Sequence, residues 1–148
     1  MHIPCFVISV FSPNLFIMEL IGMVRANKFC TSISCMDGRI QLPIIHWVKE
    51  KYHISYIDTV TEPGVDKIFS NTEKIQEIKS KVSISVNVHG SKLIIISGHH
   101  DCAGNPVSKK EHIIQIKNAT STIQSWKMPV KVIGVWVNKD WELEIIEN

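Results

Sequence analysis

At 148 residues, 45% of them hydrophobic, the chain is long enough for one domain with a substantial core and too short for two. Its formal charge of +2 comes from interspersed lysines and glutamates without a basic block, so the electrostatic footprint of a nucleic-acid binder is missing and a small uncharged or anionic substrate fits better. Four cysteines, not spaced as a secreted disulfide framework, lead us to expect a reducing cytoplasm.

Residues 3–23 are mostly apolar, but Ser12-Pro13-Asn14 and Glu19 interrupt them, which argues against a membrane span. With only His2 ahead of the apolar run and no clear small-residue cleavage site, the segment also reads poorly as a signal peptide. We expect residues 1–23 to be an extension, with Met18 and Met23 as alternative starts, and residues 24–148 to form a single domain.

The first strand runs from about Phe29 into Cys35, Asp37 and Arg39, with Gly38 giving a tight exit. Pro43 suits the first turn of a helix, which tolerates a missing amide hydrogen, and a helix is predicted over residues 42–52 with Ile44, Ile45 and Val48 on one face. Trp47 and Tyr52 are expected on its flank or at a subunit contact. Residues 54–60 read as a second strand that ends in the loop Thr61-Glu62-Pro63-Gly64. Helical segments follow over residues 65–69 and through Ile75, Ile78, Val82 and Val86. Residues 82–88 alternate strictly and on their own read as a strand. A parallel crossover needs a dozen or more residues and Gly90 makes a good helix stop, so the helix is favoured.

Lys92-Leu93-Ile94-Ile95-Ile96 is a continuous apolar run, the habit of a central parallel strand buried on both faces. It leads into Ser97-Gly98-His99-His100-Asp101-Cys102-Ala103-Gly104-Asn105, at the sheet edge where open α/β folds place their ligands. Cys35, His99 and Cys102 there supply the three protein ligands a catalytic zinc takes, one ion per chain, with the fourth position left to water. Asp37, two residues from a ligand, can accept a hydrogen bond at the metal, and Arg39 can hold its carboxylate through a bidentate pair. Gly38, Gly64 and Gly104 are the candidate substrate-binding positions. Cys30 is expected to be a small buried apolar residue facing away from Cys35, and His46, His53, His89 and His112 to be surface or helix-end groups. His100 is read as a hydrogen-bonded structural residue rather than a proton shuttle partnered by Asp101.

Ser108-Lys109-Lys110-Glu111 is a capping-box pattern opening a helix with Ile113, Ile116 and Ile123 on its core side, ending near Lys127. Residues 130–137 form another apolar strand, and Trp141, Leu143 and Ile145 alternate along a final edge strand. The predicted fold is three-layer α/β: a central, mostly parallel sheet of four strands with a C-terminal edge strand and helices on both faces.

Cys35-x-Asp37-x-Arg39 followed by Gly98-His99-x-x-Cys102 resembles the two zinc motifs of the β-class carbonic anhydrases, from about Phe29 to the end of the chain. The closing strand through Val137 and the segment Leu143-Glu144-Ile145-Ile146 look like that family's final hairpin. The resemblance implies zinc, an Asp37–Arg39 catalytic dyad, reversible hydration of carbon dioxide to bicarbonate by zinc-bound hydroxide, and a homodimer or larger homo-oligomer. It implies neither a nucleic-acid nor a membrane partner. Where the family carries an Arg-Asn-Ala-Gly type segment this chain has Thr61-Glu62-Pro63-Gly64, keeping only the glycine. Two alternatives therefore stay open: a zinc hydrolase of carbonyl sulfide or carbon disulfide, and a non-catalytic zinc protein on the same fold.

Overall fold

The computed structural model describes residues 28–147, and the expected extension over residues 1–23 lies outside them. Five strands, β1 (Phe29–Ser34), β2 (Tyr56–Thr61), β3 (Leu93–His99), β4 (Lys131–Val137) and β5 (Leu143–Ile146), form one sheet in the order β2-β1-β3-β4-β5. The first four are parallel and β5 is antiparallel to β4, as predicted.

The helices are α1 (Gly38–Tyr52), α2 (Val65–Ile68), α3 (Thr72–Asn87) and α4 (Lys109–Ser125). One face of the sheet is covered by α1, whose Ile40, Ile44 and Val48 pack with Ile95, Ile133 and Val135. The other face is covered by α2, α3 and α4, through Val65, Ile78, Val82, Val86, Ala119 and Ile123 against Ile33, Ile94 and Ile96. β3 is buried along its whole length between the layers, which is why Leu93, Ile94, Ile95 and Ile96 are all apolar and do not alternate.

α1 begins earlier than predicted because the Asp37 side chain caps it, accepting from the Arg39 amide at 2.9 Å. Pro43 is accommodated inside the helix. In α3 the alternating stretch is helical: Val82 and Val86 are buried, while Ile84 and Val88 are 58% and 73% exposed. A strand would have put all four on one face. Ser85 faces inward too, hydrogen-bonded to Thr31 at 2.7 Å. Cys30 is fully buried, as expected, but it shares the α1-side cluster with Cys35 instead of facing away from it. The strand's alternation ends at Ser34, so Cys35 no longer obeys it. Burial pushes the Cys30 thiol up to about 12 and Asp58 adds to this, leaving it an inert apolar residue.

Candidate metal centre

The chain passes from β1 to β2 in one direction and then crosses to β3 on the other side of β1, so the strand order reverses between β1 and β3. In open α/β sheets this reversal leaves a crevice beyond the carboxyl ends of the strands. Cys35 lies one residue past the end of β1, His99 is the last residue of β3, and Cys102 follows in the next turn. Two segments far apart in sequence thereby deliver their chemistry to one point. The potential ligand atoms of Cys35, His99 and Cys102 all lie within 4.8 Å of one another.

All three side chains are buried. The two sulfurs stand 3.8 Å apart. His99 uses Nδ1 on the backbone oxygen of His100 at 2.8 Å, and its buried Nε2 has no partner among the described residues. With Nδ1 carrying the proton, Nε2 presents its lone pair as a ligand atom does. Burial lowers the His99 pKa and so favours the neutral ring. Burial, then the facing Cys35, pushes the Cys102 thiol up to about 11, so Cys102 resists ionisation until a cation offsets the charge. Two thiols and a neutral imidazole suit a soft-accepting divalent metal.

The backbone closes tightly around the ligands. The Gly64 amide donates to Cys35 Sγ at 3.5 Å, and Gly64 lies against Gly104: a Cβ on either would stand 2.6–2.7 Å from the other's backbone. Gly64 also has φ +57, which a side chain tolerates poorly. The retained glycine therefore has a local cause. Glu62, by contrast, turns to Lys81 at 3.1 Å.

Asp37 and Arg39 form a bidentate pair at the mouth of the site, with Nε at 3.0 and 3.1 Å from the two carboxylate oxygens and Nη2 at 2.6 Å from Oδ2. Those side-chain bonds are the main reason the Asp37 carboxyl is held down to about 2. Gln41 donates to the backbone oxygens of Cys35 and Asp37 at 2.8 and 3.1 Å, fixing the turn between them. His100 is tied through its amide to Val137 at 2.9 Å, and Asp101 turns to Arg39 at 3.2 Å and not to His100.

A second polar cluster escaped the sequence reading. His112, expected at the surface, is buried on α4 and paired through Nδ1 with Asp66 of α2, also buried. Asn105 joins them, donating to Asp66 Oδ1 at 3.1 Å and to Gln115 Oε1 at 2.6 Å. The buried stripe of α4 is His112, Ile116, Ala119 and Ile123, with Ile113 only half-buried, one position away from the stripe expected. Helical spacing back from Ile116 could have found His112. Asp66 carries no such signal. The cluster sits beneath Gly98, where a Cβ would stand 2.8 Å from Asp66 Oδ2.

No helix among the described residues is long and apolar enough to cross a membrane. A search of curated protein sequences finds no match. Among solved structures, the β-carbonic anhydrase CafA of the fungal pathogen Aspergillus fumigatus is similar at 10% identity, over 90% of this chain and 83% of that one, with a TM-score of 0.52. A chain from the tetrameric β-carbonic anhydrases of the filamentous ascomycete Sordaria macrospora is similar at 14% identity, over 92% and 88%, with a TM-score of 0.54. Both share the fold. A family model described as "Putative carbonic anhydrase" matches residues 25–147, and the chain belongs to that carbonic anhydrase family.

Proposed function

We propose that this chain binds one zinc ion through Cys35, His99 and Cys102 and interconverts carbon dioxide and bicarbonate. The observation that carries the reading is the convergence of two buried sulfurs and an unpartnered imidazole nitrogen at the sheet's reversal point. Two sulfurs each about 2.3 Å from a tetrahedral zinc stand roughly 3.8 Å apart, the separation found between Cys35 and Cys102. When bound, zinc acidifies a water toward neutral pH and so supplies the nucleophile for attack on a small electrophilic carbon.

The chain's own residues supply orientation and proton handling. The His99 Nδ1–H bond to His100 fixes the ring, and the Gly64 amide directs a partial positive charge at Cys35 Sγ. Asp37 keeps its carboxylate ionised beside the ligands and acts as acceptor, with Arg39 fixing its orientation. In this reading Gly38, with nothing within 4 Å of where a Cβ would stand, leaves open space for substrate beside Asp37, and the backbone at Gly64 and Gly104 forms the opposite wall. Met36, next to Cys35, and Leu42 of α1 are 63% and 62% exposed, which supports a homodimer or larger homo-oligomer. The free thiols of Cys30, Cys35 and Cys102 suit a reducing cytoplasm.

The test is stopped-flow hydration of carbon dioxide by metal-quantified protein from about pH 6.5 to 9, beside Asp37→Ala and Cys102→Ser. Zinc near one per chain is expected, with Cys102→Ser losing metal and activity together and Asp37→Ala losing activity while keeping the metal. Zinc without hydration at any pH would overturn the reading and direct assays to carbonyl sulfide and carbon disulfide.

A further inference from the structure

The Arg39 guanidinium is held from three directions, and two of the holding residues adopt left-handed backbone conformations. Besides its pair with Asp37, Arg39 donates through Nη1 to Asp101 Oδ2 and through Nη2 to the Asp101 backbone oxygen, both at 3.2 Å. Trp141, in the turn between β4 and β5, places its ring centroid 5.1 Å from Arg39 Cζ. Asp101 has φ 54 and Trp141 has φ 64. An aspartate accepts that region fairly easily, but a bulky aromatic there is an outlier, and strained residues concentrate at functional sites.

The turn does not need a tryptophan. Asn138 closes it, exchanging backbone contacts with Glu142 at 2.9 Å and Trp141 at 3.1 Å and accepting at Oδ1 from the amides of Asp140 and Glu142 at 2.9 and 3.0 Å. Glycine is the usual occupant of a left-handed position in such a hairpin loop. What the tryptophan adds is an aromatic face, and that face lies against the guanidinium. Arg39 needs it: its side chain is 46% exposed, and exposed ion pairs are held loosely because long side chains keep their rotamer freedom. An indole plane fixes the guanidinium's orientation, which a bidentate pair with a carboxylate requires.

We propose that Trp141 and Asp101 are positioning residues that clamp Arg39 and, through it, set the direction of the Asp37 carboxylate beside the metal ligands. The clamp joins three separate segments: the start of α1, the loop bearing Cys102, and the β4–β5 turn. It rests on the zinc reading above for its catalytic consequence, though not for its existence.

The test compares Trp141→Gly, Trp141→Phe and Asp101→Asn in the zinc-loaded full chain. Glycine suits the left-handed turn while removing the ring, and phenylalanine keeps an aromatic face. Trp141→Asn serves as a second ring-free variant, since asparagine also accepts this backbone region. One readout is steady-state hydration; the other is the NMR resonance of the Arg39 Nε–H, assigned with Arg39→Lys. In the ring-free variants kcat is expected to fall about 10-fold with KM within about 2-fold, and the Arg39 resonance to broaden or move toward that of free arginine. Trp141→Phe restores kcat to within about 3-fold, and Asp101→Asn, which retains the backbone acceptor, costs about 2- to 3-fold. An Arg39 resonance unchanged in the ring-free variants, or equal kcat for the glycine and phenylalanine variants, overturns the clamp. If the wild-type protein hydrates no carbon dioxide, the proposed function falls separately and the Arg39 resonance alone decides the clamp.

Discussion

Two polar clusters flank the loop that carries Cys102, and they differ in almost every physical respect. Beneath it, Asp66, His112 and Asn105 are 2–3% exposed and bind one another between α2, α4 and β3. Above it, Asp37, Arg39 and Asp101 meet at the solvent boundary, with side-chain exposures of 18%, 46% and 70%. The first cluster fills its valences inside the protein. The second leaves a carboxylate open to whatever enters the crevice. Polar groups under the site hold its shape; polar groups at its mouth are available for chemistry.

The sharpest way to break that division is Asp66→Ala. It leaves His112 buried without its carboxylate partner and takes one acceptor from the Asn105 amide, which keeps Gln115, and a buried polar group left short of its partner costs about 1–3 kcal/mol. Urea unfolding is expected to show that loss. Asp37→Asn is the opposite probe, because asparagine still caps α1. Hydration is expected to fall about 100-fold, on the order of 2.7 kcal/mol of barrier, while the unfolding free energy from urea denaturation stays within about 1 kcal/mol of wild type. A large unfolding effect from Asp37→Asn, or a purely catalytic effect from Asp66→Ala, would erase the distinction.

Acid gives the smallest and most selective effect. Arg39 holds the Asp37 carboxyl down to about 2, below the ordinary 3.8, so the pair's contribution is complete above the ordinary value and disappears as pH falls through about 2. The stability difference between wild type and Asp37→Asn, both zinc-free, is therefore expected to be constant at pH 5 and above and to vanish near pH 2. A difference that stays unchanged from pH 5 down to about 2 would mean that the carboxyl keeps its ordinary value on folding and would deny the pair its hold.

The part of this organisation that was legible in the sequence is local. The apolar run of β3, the Gly98–His99–Cys102 spacing and the capping residue Ser108 each announce themselves within a few neighbours, and the structure places them as read. The buried cluster was illegible because Asp66, Asn105 and His112 come from three segments, and nothing near Asp66 distinguishes it from a solvated helix-start carboxylate. The left-handed backbone of Trp141 was illegible for a related reason: it reflects contacts with Arg39 and the Asn138 turn, not any preference of its own sequence. Cys30 illustrates the limit of periodicity, which stops predicting direction at the residue where the strand stops.

The placement of Cys35 at the end of β1 and Cys102 beyond β3 also sets an order of events during synthesis. The two sulfurs are separated by 67 positions, and β1 and β3 become neighbours only after the whole β2–α3 excursion has been made. At a ribosomal rate of about 5–20 residues per second, Cys35 waits roughly 3–13 s for its counterpart to be polymerised. On the proposed zinc reading, metal capture would thus be a late event that reports the closing of the longest loop in the sheet, rewarding a contact whose entropy cost has already been met. Until then the nascent chain exposes a thiol with nothing to hold.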